Sequence, residues 1–134
     1  MDGRSGGQRI LVVDDNVTNL KLIEYLLKAK GYDVLTAIDA DSALDAVRAQ
    51  RPALVLMDLQ LPGMDGLELT RQLKSDPNTA DIAIVAVTAY AMKGDEQRAL
   101  DAGCDGYIAK PIDTRALPQV VEHHLGETAK RREL

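Results

Sequence analysis

Three acidic side chains come directly after two apolar runs of this sequence. Asp14 and Asp15 follow residues 10–13, and Asp58 follows residues 54–57. If these runs are buried parallel strands, their carboxyl ends lie at one sheet edge, where open α/β sheets bind their ligands. Crowded carboxylates repel one another, and a hard divalent cation such as Mg²⁺ compensates them because it prefers oxygen ligands. Each acid alone would more often be a helix cap or a solvated loop end, but the three together predict a metal site.

A hydroxyl and an ammonium group are expected at the same edge. Thr88 ends the apolar run of residues 82–87, and Lys110 follows residues 107–109. In phosphoryl transfer to a carboxylate, cations neutralise the equatorial oxygens and a hydroxyl group can donate to one of them. Taken singly, Lys110 could be an ion-pair partner and Thr88 a β-branched strand residue. Their joint placement at consecutive strand ends favours phosphoryl chemistry.

Strand-like runs alternate with stretches of helical period, the pattern of a parallel sheet covered by helices. The runs at 10–13, 54–57 and 82–87 are continuously apolar, which predicts strands buried on both faces; residues 33–37 form a weaker strand. Gly31 is expected to stop the first helix in a left-handed conformation. The predicted inner faces of the helices are Leu20, Ile23 and Leu27; Ala43, Leu44 and Val47; Leu69 and Leu73; and Leu117, Val121 and Leu125.

Two predicted helices are irregular. The segment 91–102 has Met92, Ala99 and Leu100 as its main apolar anchors, and a glycine at position 94 inside a helix would cost about 1 kcal/mol relative to alanine. We therefore expect weak packing there. In the last helix a proline at position 118 follows the expected cap Asp113, so the sequence leaves the start of that helix open.

Composition limits the classes of function. The 134 residues carry a formal net charge of −5, which fits one acidic domain and argues against binding nucleic acid by counterion release. With four Tyr and no Trp or Phe, the chain has few aromatic side chains on which the bases of a single-stranded nucleic acid could stack. The single Cys104 excludes an internal disulfide and is interpreted as a small buried filler rather than a reactive thiol. No apolar run near the start is long enough for a signal peptide or a membrane span, so we expect a cytoplasmic protein.

Four sequence blocks resemble the response-regulator receiver domain of two-component signalling. They are LVVDDN at 11–16, LVLMDLQLPGMDG at 54–66, VTAYA at 87–91 and GYIAKPI at 106–112. The resemblance covers about residues 9–125, with the blocks in the order and spacing of the family. It implies a flavodoxin-like (βα)5 fold, a doubly wound five-stranded parallel sheet with strand order 2-1-3-4-5. It also implies a cis peptide bond before Pro111.

Carried over position by position, the resemblance implies a role for each site residue. Asp58 would be the phosphoacceptor, and the receiver would catalyse only its own phosphorylation and dephosphorylation. Mg²⁺, or Mn²⁺, would be held by Asp15, Asp58 and the backbone carbonyl of Gln60, with Asp14 acting through water.

The remaining implied roles concern a change of conformation that follows phosphorylation, which we call the switch. Lys110 would hold a phosphoryl oxygen, and Thr88 would move to donate to another. Tyr107 would turn from an exposed to a buried rotamer as the segment 90–102 shifts.

The resemblance also implies partners. A histidine kinase or a His-phosphotransfer protein would supply the phosphoryl group, and the output would be binding to a downstream protein, without direct contact to nucleic acid or membrane. The sequence is most similar to stand-alone receivers of bacterial cell-division and cell-fate circuits and to receivers of hybrid kinases. We expect a monomer or weak dimer, with a disordered lead at 1–8, the receiver at 9–125 and a polar tail at 126–134.

Other functions are weighed against this one. A Mg²⁺-dependent phosphohydrolase with Asp58 as nucleophile would need a nearby general acid, but position 60 is Gln. A nucleotide- or flavin-binding domain would need a Gly-rich loop after the first strand, where residues 14–16 read Asp-Asp-Asn. A binding module that is never phosphorylated would not need chemically competent side chains at all five site positions, which are Asp14, Asp15, Asp58, Thr88 and Lys110. His123 and His124 point about 100° apart on a helix, so they do not form a chelating pair, and His124 is interpreted as a packing residue. The basic residues 130–132 are interpreted as a solvated end.

Overall fold

Five parallel strands form one sheet in the part of the chain that the computed structural model describes, residues 8–60, 66–88 and 94–133. The strands lie in the order β2-β1-β3-β4-β5, so the predicted fold class and strand order are confirmed. Their bounds are β1 (Arg9–Val13), β2 (Asp33–Ala37), β3 (Leu54–Asp58), β4 (Ala83–Thr88) and β5 (Gly106–Ala109).

Helices cover both faces of the sheet. α2, α3 and α4 contribute side chains to one hydrophobic core, and α1 and α5 contribute to the other. The bounds are α1 (Val17–Lys28), α2 (Ala40–Gln50), α3 (Gly66–Ser75), α4 (Asp95–Ala102) and α5 (Leu117–Glu133). With both faces covered, ligands can approach the central strands only at their ends.

The central strands are buried on both sides, as their continuous apolar sequences predict. In β1, Leu11 and Val13 belong to the core under α2, α3 and α4, whereas Ile10 and Val12 belong to the core under α1 and α5. Each of these four residues is at most 1% exposed. The alternation of side chains along the strand therefore supplies both cores from a single element.

The first helix begins and ends at residues with suitable local chemistry. The side-chain oxygen of Asn16 accepts a hydrogen bond from the backbone N–H of Asn19 at 3.1 Å, which caps α1. Beyond its end, Gly31 has a φ of 93°, the left-handed conformation predicted from the sequence. The predicted inner face of this helix is confirmed by the burial of Leu20, Ile23 and Leu27.

The fourth helix differs from its prediction. It begins at Asp95, because Gly94 has a φ of 103° and lies before the helix rather than inside it. The expected helix-interior penalty of that glycine therefore does not apply. Leu100, predicted as an anchor, is 45% exposed, and the buried residues are Ala99 and Ala102. The start predicted at residue 91 and the anchor predicted at 92 lie outside the described residues, as do residues 1–7 of the predicted lead.

The fifth helix begins after a capped turn. Asp113 Oδ1 accepts from the backbone N–H of Arg115 at 2.9 Å, and α5 starts at Leu117. Pro118 is thus the second helical residue, where a backbone N–H would have no partner within the helix. α5 continues to Glu133, beyond the end expected for the domain at residue 125; the boundaries 1–8, 9–125 and 126–134 stay predictions.

Candidate functional site

The carboxyl ends of β1 and β3 bring three carboxylates together. Asp14 and Asp15 follow β1, and Asp58 is the last residue of β3. One carboxylate oxygen from each lies within 4.8 Å of the others. Asp14 is 2% exposed and Asp58 3%, whereas Asp15 is open to solvent. The sheet edge therefore combines two buried acids with one accessible acid.

Asp58 has a partner on each carboxylate oxygen. Its Oδ1 accepts from the backbone N–H of Gln60 at 2.9 Å, and its Oδ2 accepts from the Lys110 ammonium at 3.0 Å. The next residue, Leu59, donates its N–H to the carbonyl of Val87 at 3.0 Å, which holds the end of β3 against β4. The orientation of the carboxylate is thus fixed from two sides.

Asp14 lies in a more crowded environment. Its Oδ1 accepts from the backbone N–H of Asn16 at 2.9 Å, and its Oδ2 lies 3.5 Å from Asn19 Nδ2 and 3.6 Å from Lys110 Nζ. Burial, followed by the charge of Asp58, raises the pKa of the Asp14 carboxyl above its ordinary value. The Asn16 N–H and the Lys110 ammonium act in the opposite direction without cancelling that rise.

Lys110 reaches both buried acids from the end of β5. Its backbone N–H donates to the carbonyl of Thr88 at 2.8 Å, and the Lys110–Pro111 peptide bond is cis, as the resemblance implies. Burial acts to lower the pKa of the ammonium, but the hydrogen bond to Asp58 and the charges of Asp58 and Asp14 outweigh it, so the pKa is raised. The side chain therefore remains a cation at neutral pH.

The other predicted site residues lie on neighbouring elements. Thr88 is buried at the end of β4, and the Gln60 amide is the Asp58 donor described above. Tyr107 pairs with Ala86 in the sheet and is half-buried against the core under α2, α3 and α4. The Gln60 carbonyl as a metal ligand, and the movements of Thr88 and Tyr107, stay predictions.

Two contributors were not singled out from the sequence. Asn19 supplies the side-chain amide beside Asp14, and its signal is only its place in the first turn after the acidic pair. Gly66 begins α3, and a Cβ there would lie 2.7 Å from the carbonyl oxygen of Asp58. Only a residue without a side chain lets α3 start this close to the end of β3.

The site has the donors that a hard divalent cation requires. Three carboxylates face one ammonium group, so negative charge is in excess at a partly dehydrated edge. Oxygen ligands from a few carboxylates, with positions left for water and phosphate oxygens, suit Mg²⁺. The described residues of the site therefore fit this cation.

Of the remaining candidates, Cys104 and His124 are packing residues, whereas His123 is exposed. Cys104 is buried, with its Sγ 3.9 Å from Thr70 Oγ1, and burial raises the pKa of its thiol. The rings of His123 and His124 are 5.1 Å apart and nearly perpendicular, and the His124 ring lies where a side chain at Gly106 would be. The side chains of residues 130–132 lie outside the described part of the chain. Within that part, no helix has the length and apolar character to cross a membrane.

We predict that Gly66→Ala destabilises the protein by about 1–3 kcal/mol, the usual range for forcing extra atoms into a packed site. The added Cβ would press on the backbone of Asp58 and Leu59, so α3 must move away from β3. Gly126→Ala is the matched control, because it adds a methyl group in open space on α5 and should raise helix stability by up to about 1 kcal/mol. Urea unfolding measures both changes, and equal effects of the two substitutions would contradict the geometry.

A second prediction concerns pH in metal-free protein. Because the folded state raises the pKa of Asp14, the protonated carboxyl stabilises the fold below the ordinary Asp range. That contribution is lost as the pH rises through the raised value. Asp14→Asn should therefore gain stability relative to wild type as the pH rises above the ordinary Asp range, measured by urea unfolding in EDTA. A difference that is independent of pH would contradict the assignment.

Known proteins are similar to this chain in sequence and fold. The response regulator receiver domain model matches residues 10–122. The polar-differentiation response regulator DivK of Brucella anthropi is 43% identical over 118 residues, which cover 88% of this chain and 96% of that protein. A CheY-like receiver domain protein of Methanospirillum hungatei has a TM-score of 0.86 and 32% identity, covering 92% of this chain and 98% of that one.

A receiver domain of a Pseudomonas aeruginosa sensor histidine kinase was solved with a magnesium ion coordinated in its active-site cleft. It has a TM-score of 0.82 and 37% identity, and the match covers 90% of this chain and 98% of that one. Fold, sequence and a matched family model agree, and the chain belongs to the response regulator receiver domain family.

Proposed function

We propose that this receiver accepts a phosphoryl group on Asp58 from a histidine kinase or a His-phosphotransfer protein, and that it signals through contacts with other proteins. The observation that carries the proposal is the 3.0 Å contact between Lys110 Nζ and Asp58 Oδ2 at a buried strand end. This contact gives the nucleophile a neighbouring cation that can neutralise incoming phosphoryl oxygens. The response regulators named among the relatives support the same reading.

The proposed transfer conserves atoms and charge in a simple way. A carboxylate oxygen of Asp58 forms a bond to phosphorus while the phosphorus–nitrogen bond of the donor phosphohistidine breaks. The imidazole nitrogen keeps the bonding electron pair and takes up a proton from the solvent. Lys110 exchanges its contact with the carboxylate for one with a phosphoryl oxygen, and the Thr88 hydroxyl donates to another. The receiver in this way catalyses only its own phosphorylation and, with water as the acceptor, its own dephosphorylation.

The proposed cofactor is Mg²⁺, with Mn²⁺ as a substitute. Asp15, Asp58 and the backbone carbonyl of Gln60 would hold the cation directly, and Asp14 would act through water. When bound, such a cation neutralises negative charge on a transferring phosphoryl group. The clustered carboxylates of this chain support the assignment, as does the magnesium site of the Pseudomonas aeruginosa receiver.

The proposed output is a change in the surface formed by α4 and β5. Movement of Thr88 toward the phosphoryl group would leave space behind it, and Tyr107 would turn into that space. α4 contributes only the small residues Ala99 and Ala102 to the buried core among its described side chains. An element held by such small side chains can be displaced at modest cost, which supports its role in the switch.

The proposed setting is bacterial and cytoplasmic. Similarity to the polar-differentiation regulator DivK supports a role in cell-fate or cell-division signalling, either as a separate protein or as part of a hybrid kinase. We propose a monomer or weak dimer that does not bind nucleic acid or membrane itself. The relatives do not favour a phosphohydrolase, a nucleotide-binding domain or a module that is never phosphorylated.

Intact mass spectrometry tests the acceptor. Wild-type protein incubated with Mg²⁺ and acetyl phosphate should gain one phosphoryl group, and excess EDTA should prevent the gain. Asp58→Asn should gain none, because an amide oxygen is a poor nucleophile. Asp45→Asn, an exposed acid on α2, is the matched control and should be modified like wild type. Continued single modification of Asp58→Asn would contradict the assignment of Asp58.

A further inference from the structure

A largely buried ion pair, Lys74 with Asp105, lies at the opposite end of the sheet from the acidic site. Lys74, at the end of α3, donates its ammonium hydrogens to the carbonyls of Ala80 at 3.2 Å and Ile82 at 2.8 Å and to Asp105 Oδ2 at 2.8 Å. Its side chain is 16% exposed and that of Asp105 14%. The ammonium therefore satisfies three acceptors from the segments that precede β4 and β5.

Asp105 uses the same carboxylate to extend the sheet. Its Oδ2 also accepts from the backbone N–H of Ile84 at 2.8 Å, and its own N–H donates to the Ile84 carbonyl at 2.7 Å. The Asp105 side chain thus accepts a hydrogen bond from the Ile84 N–H, as the backbone carbonyl of a neighbouring strand would, at the residue immediately before β5. Gly103 leaves the room for this arrangement, since a Cβ there would lie 2.9 Å from Lys74 Cγ.

β5 is the strand that most needs such an anchor. It has four residues, all half-buried or exposed, whereas every residue of β3 and β4 is buried. In the described sheet it is an edge strand that pairs only with β4. Its register decides where Lys110 lies, and a slip of two residues would displace that ammonium by about 6–7 Å, far beyond its contact with Asp58.

From these contacts we infer that Asp105, held by Lys74, is a positioning residue for phosphoryl transfer. It fixes the start of β5 against β4 and so keeps Lys110 within reach of Asp58, at the other end of the strand. The inference rests on the proposed phosphorylation of Asp58. It assigns a function in the reaction to an ion pair that touches neither the phosphoryl group nor the cation.

The test compares variants in the rate constant for phosphorylation by acetyl phosphate at fixed Mg²⁺, at a temperature where each variant is folded. Asp105→Ala removes both acceptor contacts and should slow the reaction about tenfold, since a small misplacement made far from the chemistry can cost up to about 100-fold. Asp105→Asn should restore most of the rate, because an amide oxygen can accept from both Ile84 and Lys74. The Mg²⁺ dissociation constant, measured by calorimetry, should stay within about twofold of wild type, because the carboxylates follow β1 and β3.

Thr79→Val is the control for loss of stability alone. Thr79 is buried near the same end of the sheet, and its hydroxyl donates to the Leu73 carbonyl of α3. This variant should lower the urea midpoint but keep the wild-type rate. An equal slowing of Thr79→Val and Asp105→Ala would overturn the inference, as would a wild-type rate in Asp105→Ala.

Lys74→Met covers the case in which Asp105→Ala does not fold. It keeps an aliphatic stem beside Gly103 and removes the ammonium, so it should slow phosphorylation about threefold; an unchanged rate would overturn the inference. If wild-type protein takes up no phosphoryl group, the proposed function fails. If wild type is phosphorylated and the Asp105 or Lys74 variant is equally fast, only this inference fails.

Discussion

The contact between the Lys110 ammonium and the Asp58 carboxylate is the interaction on which the rest of this structure depends. Two buried acids and one exposed acid repel one another at a single sheet edge, and Lys110 is the cation that reaches both buried ones. Charges this close in a partly dehydrated site interact far more strongly than they would in water. The ammonium therefore offsets part of this repulsion, and the excess negative charge that it leaves is what a divalent cation would neutralise.

The fold meets this requirement by ending separate strands at the same place. β1, β3 and β5 carry the charged residues and β4 lies between the last two, so the site depends on strand register rather than on one loop. Hydrophobic cores on both faces of the sheet hold the central strands in place. Stability is not uniform around the site, however, because β5 and α4 bury little apolar surface. A change in shape that is driven by phosphorylation requires rigid strands that hold the acceptor. It also requires less firmly held elements beside those strands.

Much of this arrangement follows from the sequence because it depends on periodicity. Continuous apolar runs predict strands buried on both faces, and parallel strands bring their terminal residues to one edge, so the convergence of Asp14, Asp15 and Asp58 could be derived. The roles of Asn19 and Gly66 could not be derived from the sequence, because they arise from contacts between the start of a helix and the end of a strand. The ion pair of Lys74 with Asp105 joins residues far apart in the chain, and no local pattern marks it. A helical sequence pattern does not show that Gly94 adopts a left-handed conformation immediately before α4, nor that Leu100 lies on the exposed face of that helix.

Calorimetric titration with Mg²⁺ tests the central electrostatic claim most directly, using wild type, Lys110→Met and, as a control, the exposed Lys21→Met at neutral pH. Lys110 holds oxygens of the same carboxylates that a cation would need, so its removal leaves the negative charge uncompensated. We expect one Mg²⁺ per chain in wild type and in the control, and binding at least about threefold tighter in Lys110→Met. Binding in Lys110→Met that is unchanged or weaker would show that the ammonium does not balance these carboxylates, and would contradict the account.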